Sequence, residues 1–523
     1  MRTESRQWPC TWLLLVVASV GCNGQAAAPP KAPAAPPAAV ESAAAAPESA
    51  ALAAPSPRAP GETWDAVTMS GAKVGYLHTV VSEVERDGRP VLRIAATMRL
   101  QVNRFGDSAS PQVETATYET ADGRIVAFEC RQELSGQPTT RSAEFDGQAA
   151  EMRITVAGRT ETQAIALPEG TRGPLAVDES LAEKPLLPGE ERQLLVFDPS
   201  FGMVMRVALR ADKYESTAVL GEKLRLLRVE VTQTLPDGQS MPSLLWMDAG
   251  GTPRKVAIAG MELVRTSRDD ALRDPAGERF DLGLQTLVHL DRPEENPHTA
   301  KVTRYRVRLK EADPAQVFPA GATQQVRSLD ERTAEITVRA LRPNDELPAG
   351  FVDQPPTDDD RGPNAMLQSD DERVRRLAAE VAADDGDPWT TAVALERLVR
   401  RSITSRNFST ALASAAEVAE TRAGDCTEHA VLLAALCRAR EIPARVAVGL
   451  VYVEAASAFG YHMWTEVYVA DRWLPLDATL GRGGIGGGHL KLAHSNLRDG
   501  DAYASFVPVV QVLGQVEIEV IED

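Results

Sequence analysis

The sequence predicts an α+β protein in which β-rich antiparallel domains precede a helix-then-strand domain at the C-terminus. Three observations predict it. Short runs that alternate apolar and polar residues recur from about 63 to 292, separated by Asp-Gly turn signals. Beyond the acidic stretch "PPTDDDRGPN" at 355–364 the apolar period changes to that of a helix. Further alternating strands then follow, and helices succeeded by an antiparallel sheet make an α+β arrangement. A chain of 523 residues is too long for one core, so several domains are expected.

The N-terminal elements are not part of a core. Arg2 and Arg6 precede the apolar run "TWLLLVVASVG", which is too short to span a bilayer and ends at Gly21-Cys22. Residues 1–22 therefore read as a secretion signal. The run resembles a bacterial lipoprotein signal, which implies lipidation at Cys22 and membrane attachment through that anchor in the cell envelope. Ser19 stands where such signals usually carry Leu, Val or Ile. Residues 23–62 are mostly Ala and Pro and read as a disordered spacer.

Hydrophobic content of 43% and charge of 25% fit a soluble globular body. The net charge of −18 argues against nucleic acid, because phosphates need a basic stripe. It equally disfavours anionic lipid head groups as a partner of the folded part. A chain cleaved before Cys22 keeps Cys22, Cys130, Cys426 and Cys437, too few for a disulfide scaffold.

Residues 63–292 form the first β-rich domain, with strands such as "VLRIAATMRLQV", "MVMRVALRA" and "LRLLRVEVTQTL". A smaller β segment and linker occupy 293–360, with "AKVTRYRVRL" and "TAEITVRAL" as strands. Neither concentrates His, Cys or carboxylates at ligand spacing, so both read as scaffold or binding surface. The domain at 361–523 opens with helices. "SDDERVRRLAAEVAAD" has Ser369 as N-cap, "GDPWTTAVALERLVRRSI" has Asp387 as N-cap with Pro388 at the first helical position, and a short helix covers "TALASAAEVAE".

The next helix is "CTEHAVLLAALCRA". Asp425 as N-cap with Glu428 three residues on is a D-x-x-E capping box, which places Cys426 at the first helical position. Unpaired N–H groups and the dipole there favour a thiolate, while the adjacent Asp425 opposes it. From the residues alone Cys426 could be a nucleophile, a ligand or a small packed residue. A Cys426–Cys437 disulfide is excluded, since eleven helical residues rise about 16 Å. Cys437 reads as a core residue, and its pairing with Cys130 stays open. His429 shares the face of Cys426 and reads as a residue packing beside it. A zinc site is disfavoured because no second ligand pair is suitably spaced.

In "YHMWTEVYVADRWLPLDAT" the residues His462, Trp464, Glu466 and Tyr468 share one strand face. If Ala470-Asp471 is a two-residue turn, Tyr468 faces Trp473 and Trp464 faces Asp477. Asp477 is then the diagonal neighbour of His462, roughly 7–8 Å away by Cα. An acid that orients a histidine, and a histidine that takes a thiol proton, are the parts of nucleophilic catalysis.

"RAGDCTEHAVLLAALCRAREIPARVAVGL", "YHMWTEVYV" and "WLPLDAT" together resemble the transglutaminase-like superfamily, a papain-like Cys-His-Asp core. The resemblance covers about 365–485. It implies Cys426 as nucleophile, His462 as general base and acid, and Asp477 as the orienting acid. It also implies acyl transfer on protein or peptide amides through a thioester, resolved by water or an amine, with no cofactor and no metal. Trp464 reads either as a wall of that site or as a plain core aromatic. Glu441 stands where the family usually has Gly, and Ala478 replaces a frequent Pro. The alternative is a non-catalytic binding or scaffold lipoprotein with a vestigial domain of this type.

Other signals are discounted. Gly481-x-Gly483-x-x-Gly486 lacks a surrounding βαβ unit and reads as a flexible loop. His489 and His494 read as surface residues. The aspartates at 358–360 and 384–387 fit no calcium loop and read as linkers and caps.

Overall fold

The computed structural model describes residues 58–521, except 134–137, 157, 259, 275–279, 291, 349–350, 383–386, 407, 409–411 and 499–506. The signal segment, Cys22, most of the spacer and most of the second aspartate cluster lie outside the described residues.

Two meanders build the first sheet. Strands from residues 61–166 run outward in one direction and strands from 171–266 in the other, giving a 15-stranded sheet. The first strand, Gly61–Met69, joins the halves by pairing with the last, Met261–Thr266. The turns follow from sequence: at Asp87-Gly88 and Leu220-Gly221 both residues have positive φ, as a two-residue hairpin turn requires. The sheet curls upon itself. Phe128 and Phe197 lie ten strands apart in sheet order, yet their ring centroids are 4.9 Å apart, edge to face. Cys130 is buried on the same inner side, with Sγ 3.9 Å from the Ser200 carbonyl, and burial pushes its thiol up to about 12. Neither Cys130 nor Cys437 is disulfide-bonded, so the open pairing between them is excluded.

A small hairpin leaves this sheet, formed by β1 (Val102–Arg104) and β2 (Asp107–Ala109). Its turn, Phe105-Gly106, is held by Asp281, whose two carboxylate oxygens accept both backbone N–H groups. A separate four-stranded sheet contains Val302–Leu309 and Thr333–Arg339, and the last strand, Val516–Ile521, pairs onto Val302–Leu309.

In the C-terminal part α1 spans Glu372–Ala378, α2 Pro388–Ser402, α3 Ala415–Thr421 and α4 Cys426–Ala439. Helix α1 is shorter than its periodicity predicts and is capped by Asp371 rather than Ser369. Two cap-forming residues compete there, and the charged one gains more from the helix dipole. Helix α3 starts at Ala415 because Ser414 caps it. Helix α4 is buried along nearly its whole length, as the run at 430–437, apolar around most of its circumference, leads one to expect. It lies across the five-stranded central sheet, made by β3 (Ala444–Val453), β4 (Ala458–Val469), β5 (Arg472–Leu476), β6 (His489–Ser495) and the short strand Val288–His289 paired to β4. The Thr465 hydroxyl of β4 donates to the Ala430 carbonyl of α4 at 3.0 Å, which fixes how far the helix start sits along the strand. Each fully buried leucine of α4 contributes about 1.5–3 kcal/mol of transfer free energy.

Of the sequence-predicted aspartate clusters, 358–360 serves as a cap. The Asp360 carboxylate accepts from the Thr357 N–H and hydroxyl.

Candidate active site

The first turn of α4 is built as the capping box predicts. Asp425 Oδ1 accepts from the Thr427 N–H at 2.9 Å, and Glu428 Oε2 accepts from the Asp425 N–H at 2.9 Å. Gly424 is required here: a Cβ would lie 2.3 Å from the Glu428 side chain folded beneath it, and its φ is +153°. Burial, and then the neighbouring Asp425 charge, push the Glu428 carboxyl up to about 8. Cys426 opens the helix, is fully buried and is not disulfide-bonded. Cys437, at the far end, is buried among apolar residues, which drives its thiol upward. His429 packs beside the site, its Nδ1 2.6 Å from the Asp425 carbonyl.

The hairpin β4–β5 has the register read from sequence. Ala470 and Asp471 both have positive φ, and Tyr468 pairs with Trp473. That register brings His462 Nε2 to 2.9 Å from Asp477 Oδ2. Burial would raise the Asp477 carboxyl, but the His462 and His489 imidazoles outweigh it and hold the acid well below the usual carboxylate range. With Nε2 turned to the acid, His462 Nδ1 is buried without a hydrogen-bond partner. Thr465, three residues beyond His462 on β4, donates to the Ala430 carbonyl one turn beyond Cys426. The head of α4 thus packs on the strand that carries His462, and Cys426, His462 and Asp477 are all buried. Trp464 borders the two histidines, its ring centroid 6.3 Å from that of His462 and 5.3 Å from that of His489.

Three residues here escape sequence reasoning. His489, expected at the surface, is buried on β6 with Nε2 3.2 Å from Asp477 Oδ2. Alternation in "HLKLAHS" puts His489 on the face of Lys491, opposite the leucines, but β6 is covered on both faces at this end. His494, by contrast, is exposed as expected. Glu396 of α2 receives the Asp477 N–H on Oε1 at 3.1 Å and the Gly483 N–H on Oε2 at 2.7 Å. Burial pushes its carboxyl up to about 7. Its signal was present: Glu396 sits on the apolar stripe of Ala392, Leu395 and Val399. Thr479 completes the set, donating both its N–H and its hydroxyl to Asp477 Oδ1.

The glycine-rich loop after Asp477 is packed rather than open. A Cβ at Gly486 would lie 2.6 Å from the His298 carbonyl oxygen. His298 in turn faces His489, ring centroids 5.9 Å apart, and burial followed by the His489 charge pushes it down to about 4. Of the chain's seven histidines, His462 and His489 thus meet Asp477 directly and His298 stands behind His489. Among the described residues, His462, Asp477 and His489 are the group whose donor atoms could surround a metal ion, all within 4.8 Å. The two hydrogen bonds to Asp477 already account for how they are placed.

Residues 375–478 match the family model described as the transglutaminase-like superfamily. This segment is a transglutaminase-like domain. Solved structures with related parts include a candidate cysteine protease from Cytophaga hutchinsonii, 19% identical, matched over 42% of this chain and 81% of its own, with a TM-score of 0.27. The periplasmic domain of TgpA from Pseudomonas aeruginosa, bound to ethylmercury, is 18% identical over 36% of this chain and 74% of its own, with a TM-score of 0.24. A β-barrel-like protein from Brucella abortus is 14% identical over 40% of this chain and 96% of its own, with a TM-score of 0.29. No curated protein matches the chain. In the transglutaminase-like domain the matched span runs from α1 to the residue after Asp477, so it contains Cys426, His462 and Asp477.

Proposed function

We propose that the protein is an envelope-anchored cysteine enzyme that transfers acyl groups from protein or peptide amides. The observation that carries this is the His462 imidazole, held by Asp477 through Nε2 and bare at Nδ1, on the strand against which the Cys426 helix packs. His462 Nδ1 takes the Cys426 proton as the sulfur attacks the carbonyl carbon. The resulting oxyanion is met by the Cys426 N–H, one of the helix-start donors with no intrahelical acceptor. Collapse expels ammonia or an amine, protonated by the His462 imidazolium, and leaves a thioester. Water or a lysine amine then gives its proton to His462 and attacks, releasing the thiol. The reaction is hydrolysis in the first case and cross-linking in the second.

Asp477 is the orienting acid in this reading and Trp464 a wall of the site. The anchor is Cys22, lipidated after removal of residues 1–21. Replacing Cys22 by Ala should release the protein from membranes and abolish incorporation of a labelled fatty acid.

A non-catalytic binding protein is the second reading, favoured by the complete burial of Cys426. Site-resolved alkylation against pH separates the two, with wild type beside His462→Ala and the buried Cys437 as internal control. Fast labelling of Cys426 with an apparent pKa well below ~8.5, lost in His462→Ala, supports the enzyme. Labelling no faster than Cys437 in both proteins supports the binding module.

A further inference from the structure

We infer that Arg104, carried by the β1–β2 hairpin of the large sheet, is a positioning residue for the Cys426 site: it fixes the Asp425 cap and offsets the negative charge that Asp425 sets beside the nucleophile. The inference rests on the reading of Cys426 as nucleophile.

Arg104 Nη2 lies 2.6 Å from Asp425 Oδ2, and the two side chains are 1% and 0% exposed. The partners are 321 residues apart in sequence. The hairpin grips the loop before α3 as well. Arg104 Nη1 donates to the Phe408 carbonyl at 3.0 Å, Asp107 accepts the Phe408 N–H at 3.3 Å, and the Phe105 and Phe408 rings stand 5.2 Å apart. Asp281 clamps the hairpin turn from behind. Asp425 is thereby divided between two tasks: Oδ1 takes the Thr427 N–H and hydroxyl to cap the helix, and Oδ2 takes the guanidinium.

Burying an arginine and a carboxylate together is a poor way to gain stability, because desolvation offsets most of the attraction. Its effect on the neighbouring thiol is more direct. A carboxylate within ~4–6 Å of a titrating thiol raises its pKa by about 1–3 units, and a cation at similar distance reverses the effect. Without Arg104 the helix start would favour the thiolate while its own cap opposed it. The other titratable groups at this end of the domain are Glu428 and His429 on α4, His462 and Asp477 from the hairpin, His489 on β6 and Glu396 on α2. Of the histidines, His462 and His489 are turned to Asp477, and His429 Nδ1 meets the Asp425 backbone carbonyl rather than its carboxylate, so the cation that meets that carboxylate is Arg104. The large sheet therefore supplies part of the electrostatics of a site whose reacting groups all lie in the transglutaminase-like domain.

The test uses full-length protein and iodoacetamide labelling of Cys426 across pH, resolved by mass spectrometry. Arg104→Gln should move the apparent thiol pKa up by about one unit or more, roughly a tenfold loss of labelling rate below the midpoint. Arg104→Lys should restore part of it, and Arg104→Gln combined with Asp425→Asn most of it. If Arg104→Gln does not fold, Asp425→Asn alone decides: its midpoint should fall below wild type. An unchanged midpoint in the folded variants, with only a lower melting temperature, would make Arg104 merely structural and overturn the inference. Failure of the enzyme reading looks different, because wild-type Cys426 would then titrate as an ordinary thiol indifferent to His462→Ala.

Discussion

Asp477 receives the imidazoles of His462 and His489 on Oδ2 and both donors of Thr479 on Oδ1, while its own N–H is held by Glu396. A carboxylate so fully engaged has one orientation, which is what an acid that orients a base requires. Asp477→Asn should keep the fold and lower amide turnover by up to about four orders of magnitude, as loss of an orienting acid does in a related constellation. His489→Leu removes one donor to that charge, worth ~1.5–3 kcal/mol, and should cost roughly tenfold or more in kcat/KM on a peptide amide. The histidines also set an acid limit. Burial lowers His489 and His429, and brings His298 to about 4, so in the folded state they resist the protons that the unfolded chain binds near 6.5. Stability is then complete above ~6.5 and is lost as pH falls from there toward 4. Urea denaturation at pH 7.5 and 5.0 should show a larger loss in wild type than in His298→Gln.

Helix α4 joins these residues into an element. Its capping box was readable from Asp425 and Glu428, and its burial from the run at 430–437, apolar around most of the circumference, so the place of Cys426 was legible before any contact was known. The end of the helix carries a local fault. Glu441 is exposed with φ +61°, a conformation that suits glycine. Glu441→Gly should stabilise the protein by about 1 kcal/mol in a denaturation curve without altering Cys426 labelling. Leu433 lies fully buried at mid-helix, and Leu433→Ala should cost ~2–5 kcal/mol. The β4–β5 register was equally legible once Ala470-Asp471 is read as a two-residue turn, because such a turn pairs Val469 with Arg472 and therefore Tyr468 with Trp473. The cap of α1 was not, since Ser369 and Asp371 are both good N-caps and periodicity does not choose between them.

At the scale of the whole molecule the C-terminal part is not self-contained. Val516–Ile521 needs Val302–Leu309 as its partner strand, and the head of α4 needs the β1–β2 hairpin. A fragment of 361–523 should therefore expose the apolar residues Val516 and Ile518 and elute as aggregate on size exclusion, whereas the chain from 58 onward should be monodisperse. A monomeric, cooperatively folded 361–523 fragment would contradict this.

What the sequence by itself determined is local. Strand alternation, caps, two-residue turns and the residue types at 426, 462 and 477 depend on neighbours within a few positions, and they carried the α+β class and the Cys-His-Asp set. What only the tertiary structure decided is which distant groups meet. His489 joined Asp477 because both faces of β6 are covered. Glu396 became a backbone acceptor because the loop after Asp477 folds over α2, and Arg104 reached Asp425 across 321 residues. Those pairings turn on burial, which strengthens a charge's interactions and raises the cost of leaving it unpaired, and burial is a property of the packed whole rather than of any segment.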